Sequence, residues 1–118
     1  MESRLKAEIR SLEANYRLVK DFLSGADYDL NTIPENLQSL KDNLSNVRAL
    51  TMAYTQIKEG KVVDFPINPI VNQIDLALTL IEMNPQQARS LLQLSLALSN
   101  VKIEDIMAFI SILRDSLR

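Results

Sequence analysis

The fold turns on residues 70–101, which read IVNQIDLALTLIEM, then Asn84-Pro85, then QQARSLLQLSLALSNV. Only Asp75, Glu82 and Arg89 carry charge in this stretch. Chain with so little charge over two helix lengths is placed where water does not reach. Ile74, Leu76, Leu78 and Leu80 alternate, as do Leu92, Leu94, Leu96 and Leu98, and a period of two is a strand signal. The fillers decide for helix. They are Leu, Ala and Gln rather than Val, Thr and aromatic residues, and helix-start signals precede both runs. Asn68 reads as an N-cap with Pro69 at N1, and Asn84 with Pro85 repeats the device with Gln87 at N3. Asn84 also closes the preceding helix, so the turn is tight.

At 3.6 residues per turn, helix three carries one thin polar stripe, Asn72, Asp75, Thr79 and Glu82. Helix four carries another, Gln86, Arg89 and Gln93. Both stripes are predicted to face water and the rest is largely apolar, which puts this hairpin at the centre of the molecule. With helix five included, such narrow stripes offer more apolar surface than one face each can bury in a small bundle.

Upstream, Leu5, Ile9, Leu12, Tyr16, Val19 and Leu23 are spaced 4-3-4-3-4, a seam for one long helix that Gly25 ends. Glu2 with Lys6 and Glu13 with Arg17 are acid-to-base pairs at i,i+4 along it. Thr32 and Glu35 have capping-box spacing beside Pro34 and open helix two. That helix carries Leu37, Leu40, Leu44, Val47, Leu50 or Thr51, Tyr54 and Ile57, and Gly60 terminates it. Residues 61–67, KVVDFPI, form an extended connector because Pro66 and Pro69 bar a long strand; Val62, Val63 and Phe65 are predicted to tuck against the bundle. Helix five, from Ile103 to Leu117, is predicted to bury Ile106, Ile110, Leu113 and Leu117.

The predicted fold is therefore all-α in one domain of residues 1–118. A long antiparallel hairpin (1–60) and a connector (61–68) lead to a compact three-helix part (69–118). The long helices should span ~33–39 Å and the short ones ~20–25 Å at 1.5 Å per residue, so part of the long hairpin's seam is predicted to stand open or to be covered by a second copy or another protein. Asn84-Pro85, the Ala/Leu-rich helix and IEDIMAFISIL together resemble a helical-hairpin repeat of the tetratricopeptide type in the order of elements. The small residues that pattern needs at the helix crossing are largely missing, and Ile106 stands where alanine is expected.

Composition excludes more than it assigns. The 118 residues contain no histidine and no cysteine, which removes the commonest general base, the commonest transition-metal ligands and any disulfide. Two glycines, Gly25 and Gly60, cannot build a phosphate-cradling loop of the usual motifs. Asp27, Asp29 and Asn31 have the spacing that opens an EF-hand loop, but Thr32 and Gln38 stand where Gly and the bidentate Glu are required. The expectation is no catalytic residue, no cofactor and no metal. A net charge of −2, spread along the chain, gives no basic field, and helix five offers Glu104, Asp105 and Asp115 against Arg114 and Arg118, a poor reader of nucleic acid. The longest uncharged run, twelve residues from Ser90 to Val101, is too short to span a bilayer.

These features point to a cytoplasmic, non-catalytic interaction or assembly module, self-associating with a dimer favoured, or a subunit of a larger complex. The alternative is a small regulator that binds nucleic acid as a dimer. The expected contact residues are Leu5, Ile9, Leu12 and Tyr16 on the long hairpin and Phe109 and Ile112 on the last helix.

Overall fold

The computed structural model describes residues 2–25, 32–64, 67–97 and 103–116, and among them the fold is all-α, with five α-helices and no strand. In chain order these are α1 (Glu2–Leu23), α2 (Thr32–Glu59), α3 (Asn68–Met83), a 3-10 turn (Pro85–Gln87), α4 (Ala88–Ala97) and α5 (Ile103–Ser116). None is long and apolar enough to cross a membrane. The bundle measures 48 × 24 × 19 Å, and its long axis is close to the ~42 Å that the 28 residues of α2 span at 1.5 Å each.

α1 and α2 form the expected antiparallel hairpin. α3 lies along α2, α4 closes on α3 and on α1, and α5 rests on α1. The apolar seam of α1 is fully closed: Leu5, Ile9 and Leu12 belong to one core cluster with Leu37, Leu40, Leu44, Ile70, Ile74, Leu92 and Ile110. The length mismatch is taken elsewhere. α2 is six residues longer than α1 (28 against 22), and its last turns carry the overhang, so that Ile57 is 72% exposed rather than part of a seam. Of the two candidates on α2, Thr51 faces inward and Leu50 is half-buried.

Between α1 and α2 sits a polar layer centred on Asn43, itself buried. Its amide nitrogen donates to Glu8 Oε2 and Ser11 Oγ, both at 3.1 Å, and its oxygen accepts from Asn15 Nδ2 at 2.7 Å. Shifting the two helices against each other would strand a buried amide, so this layer fixes their register.

The connector is anchored by polar contacts rather than by its valines. Thr55 Oγ1 donates to Thr51 O at 2.9 Å and accepts from Val63 N–H at 2.9 Å, while Arg48 grips Asp64 with two bonds of 2.7 and 3.0 Å. Val62 is exposed, contrary to expectation, because these bonds already fix the backbone and leave its side chain outside. Phe65 lies outside the described residues.

Both Asn-Pro signals mark helix starts, but neither Asn caps through its side chain. α3 begins one residue early, with the buried Ile67 at the N-cap accepting from Val71 N–H at 2.9 Å, and Asn68 is already helical. Burial of Ile67 within the core cluster favours that earlier start. Asn84 closes α3 as expected, its N–H bonded to Leu80 O at 3.0 Å. Its φ of −148° and ψ of 78° lie outside the helical region, which a following proline disfavours. The chain then passes through the 3-10 turn, which shortens α4 to ten residues.

Candidate interaction surface

The residues expected to meet a partner divide into three groups. Leu5, Ile9 and Leu12 are 0% exposed, packed into the chain's own core, and a partner cannot reach them. Tyr16 is half-buried against that core. On α5, Ile112 is 70% exposed, whereas the side chain of Phe109, like those of Ile106 and Leu113, lies outside what is described, as does Leu117.

The largest surprise is the outer side of α3 and α4. Ile70, Ile74, Ala77 and Ile81 point to the core, and Asp75 and Leu78 face α2, with Asp75 Oδ1 accepting from Lys41 Nζ at 2.7 Å. Helical phase then turns Leu76, Leu80 and Met83 the opposite way, beside α4. On α4, Ala88 and Leu92 point inward and Arg89 and Gln93 face α1, which leaves Leu91 and Leu94 beside α3. The two rows flank the outer seam of one hairpin. Leu76 is 44% exposed, Leu94 56% and Met83 79%, with Leu80 and Leu91 half-buried between them. No charged residue lies in either row. Asp75 and Glu82 sit on the α2 side of α3, and Arg89 on the α1 side of α4.

Arg89 departs from its expected place on a solvent stripe. Its guanidinium stacks over the Phe22 ring, 4.8 Å from the centroid, and its Nε donates to Phe22 O at 2.8 Å. Gln93 Nε2 donates to Leu23 O at 3.0 Å. These are carbonyls that α1 cannot satisfy internally at its C-terminus, and a cation there also meets the negative end of the helix dipole. Just beyond, Gly25 adopts φ +108°, a left-handed conformation that glycine takes without a side-chain penalty. Sequence reasoning missed Phe22 and Asn43. Asn43 could have been found, since it lies three residues after Leu40 and four before Val47, on the inner side of α2.

Two further concavities flank the bundle. Between α1 and α5 a cleft of about 490 Å³ is lined by Tyr16, Arg17, Lys20, Met107, Ser111 and Arg114 with Glu13 and Asp21. Glu13 pairs there with Arg114 at 2.6 Å, across 101 residues of sequence, rather than with Arg17 four residues on. The Glu2–Lys6 pair forms as expected, at 3.4 Å. Burial, and after it the Glu104 carboxylate, push the Tyr16 phenol above its ordinary 10.0. Between α2 and α3 a groove of about 730 Å³ is lined by Pro34, Gln38, Ser39, Leu78 and Thr79 with three acids, Glu35, Asp75 and Glu82.

Among the described residues no three Asp or Glu side chains gather as a metal site would need. The EF-hand-like residues Asp27, Asp29 and Asn31 lie outside them. Compared with known proteins, the chain matches no family model, no curated relative and no solved structure.

Proposed function

We propose that the chain is a non-catalytic assembly module that pairs with a second copy of itself through the outer seam of α3 and α4. One observation carries this reading: a hairpin whose Leu76, Met83 and Leu94 stand in water without a charged residue in either row. Contiguous exposed apolar surface marks an interaction site more often than isolated exposed leucines do. The occupant follows from charge. A neutral apolar face is complementary to itself and meets no like-charge repulsion in a two-fold pairing, while the outer sides of α1 and α2 are charged and suit it poorly.

Sedimentation velocity at tens of micromolar tests the proposal. At one molar salt a dimer is expected, and Leu76→Glu with Leu94→Glu should return it to monomer with the helical circular dichroism unchanged. A wild-type monomer at those concentrations, or a dimer indifferent to both substitutions, removes the reading. The nucleic-acid alternative draws little support, because α5 turns Glu104, Asp105 and Asp115 to solvent.

A further inference from the structure

One end of the bundle is electrically lopsided. α1 and α2 run antiparallel, as do α2 and α3, so the last turns of α1, the first turn of α2 and the last turn of α3 lie at the same level. On α1, the face carrying Glu8, Ser11 and Asn15 meets α2, and the face carrying Glu13, Arg17 and Lys20 meets the α5 cleft. The α1–α5 cleft and the α2–α3 groove are therefore on opposite flanks of that end.

The two flanks differ in charge: three cations and two acids line the cleft, with the Glu104 carboxylate acting on Tyr16 there, whereas three acids line the groove. In the cleft, Arg114 is engaged by Glu13, and Asp21 is the other acid of the lining, while among the described residues neither Arg17 nor Lys20 has an ion-pair partner and both are exposed. In the groove no cation is among the lining residues. Lys41 reaches in from α2 to pair with Asp75, and Glu35 and Glu82 remain exposed without an ion-pair partner among the described residues.

We propose that the α1–α5 cleft of one copy receives the α2–α3 edge of the next, with Glu35 and Glu82 of one against Arg17 and Lys20 of the other. The contact deepens the assembly reading and rests on it for a second copy as occupant, but it uses different residues and can fail separately. Charge complementarity selects the occupant. Every copy carries both surfaces at one level, so two copies can lie side by side with their long axes aligned. A net charge of −2 opposes this little. Such a contact is heterologous: it leaves a free cleft and a free edge at the ends, and so continues as a chain or closes as a ring.

The test is sedimentation of the intact protein across a salt series, followed by charge reversal. At low ionic strength, species larger than a dimer are expected. At one molar salt, where screening acts beyond about 3 Å, those species should disappear while the apolar dimer persists. R17E/K20E and E35K/E82K should each lose the larger species alone, and an equimolar mixture should regain them, because each reversed surface then meets its reversed complement. Circular dichroism checks the fold of each variant, and the wild-type salt series stands if one of them fails to fold. Larger species that are absent or indifferent to salt overturn the proposal, as does a mixture no better than its components. Leu94→Glu separates the two contacts, since it should abolish the salt-resistant dimer and spare the salt-sensitive species.

Discussion

The two hairpins of this bundle invert what their composition suggests. α1 and α2 are the charged helices, yet their seam is buried, with Leu5, Ile9, Leu12, Leu37 and Leu44 all at 0% exposure. α3 and α4 carry almost no charge, yet they hold three of the large apolar side chains that water reaches, Leu76, Met83 and Leu94. Charge on a helix reports only that one face is wet. Its absence does not report that every face is dry. The first hairpin is specified by a polar layer of hydrogen bonds at Asn43; the second is held by apolar packing and is open on its outer side.

The strongest way to break that contrast is to cut into the first seam. Leu12→Ala should cost ~2–5 kcal/mol, the range for a buried leucine, and urea denaturation reads it directly. A loss comparable to that at an exposed site would show that the α1 seam is not closed. Asn43→Ala comes next. It leaves Glu8 and Asn15 short of a partner at the helix interface and should cost ~1–3 kcal/mol. Two threonines one turn apart on α2 sharpen the point. Thr55→Val removes a hydroxyl in three hydrogen bonds and should destabilise, whereas Thr51→Val replaces a buried hydroxyl that has no partner among the described residues and should stabilise by ~1 kcal/mol. Equal signs for the two would refute the hydrogen-bond assignment.

A pH series probes the α1–α5 side. The fold favours the neutral phenol of Tyr16, so its contribution is present below pH 10.0 and is lost as pH rises through the raised value. Melting temperature should therefore fall more steeply above that pH in the wild type than in Tyr16→Phe. The smallest stability change belongs to the second hairpin. Leu94→Ser should alter the unfolding free energy by no more than ~0.5 kcal/mol while weakening association, because the side chain is already in water in the single chain.

Much of the fold was legible in the sequence because helix periodicity and terminators are local. Gly25 and Gly60 end α1 and α2 where expected, with φ of +108° and +71°, and the polar stripe Asn72, Asp75, Thr79 and Glu82 is exposed along its length. What stayed hidden depends on neighbours. The spacing of Leu5, Ile9 and Leu12 shows that they share a face, but only the packing of α2 and α3 decides whether that face belongs to the core or to a partner. Glu13 has an acceptable partner four residues away, and the folded chain pairs it instead with Arg114. Arg89 sits on an otherwise polar stripe, and only the arrival of the α1 terminus turns it into a cap. The α3–α4 face was misread for the same reason, since an apolar residue signals a preference for burial without naming what covers it.

The contact between Arg89 and the end of α1 also bears on the order in which the protein is completed during synthesis. It joins residues 67 apart, so a ribosome must deliver α2, the connector, α3 and the first turn of α4 before the Phe22 carbonyl, which already accepts locally from the Gly25 N–H, meets its second donor. Closing so long a loop costs entropy that local helix formation does not. The α1–α2 hairpin can zip up early through Asn43, and the last turn of α1 closes on its own backbone, but the side-chain cap on that turn arrives late. Amide exchange in that turn should therefore track the docking of α4 rather than the opening of the first hairpin.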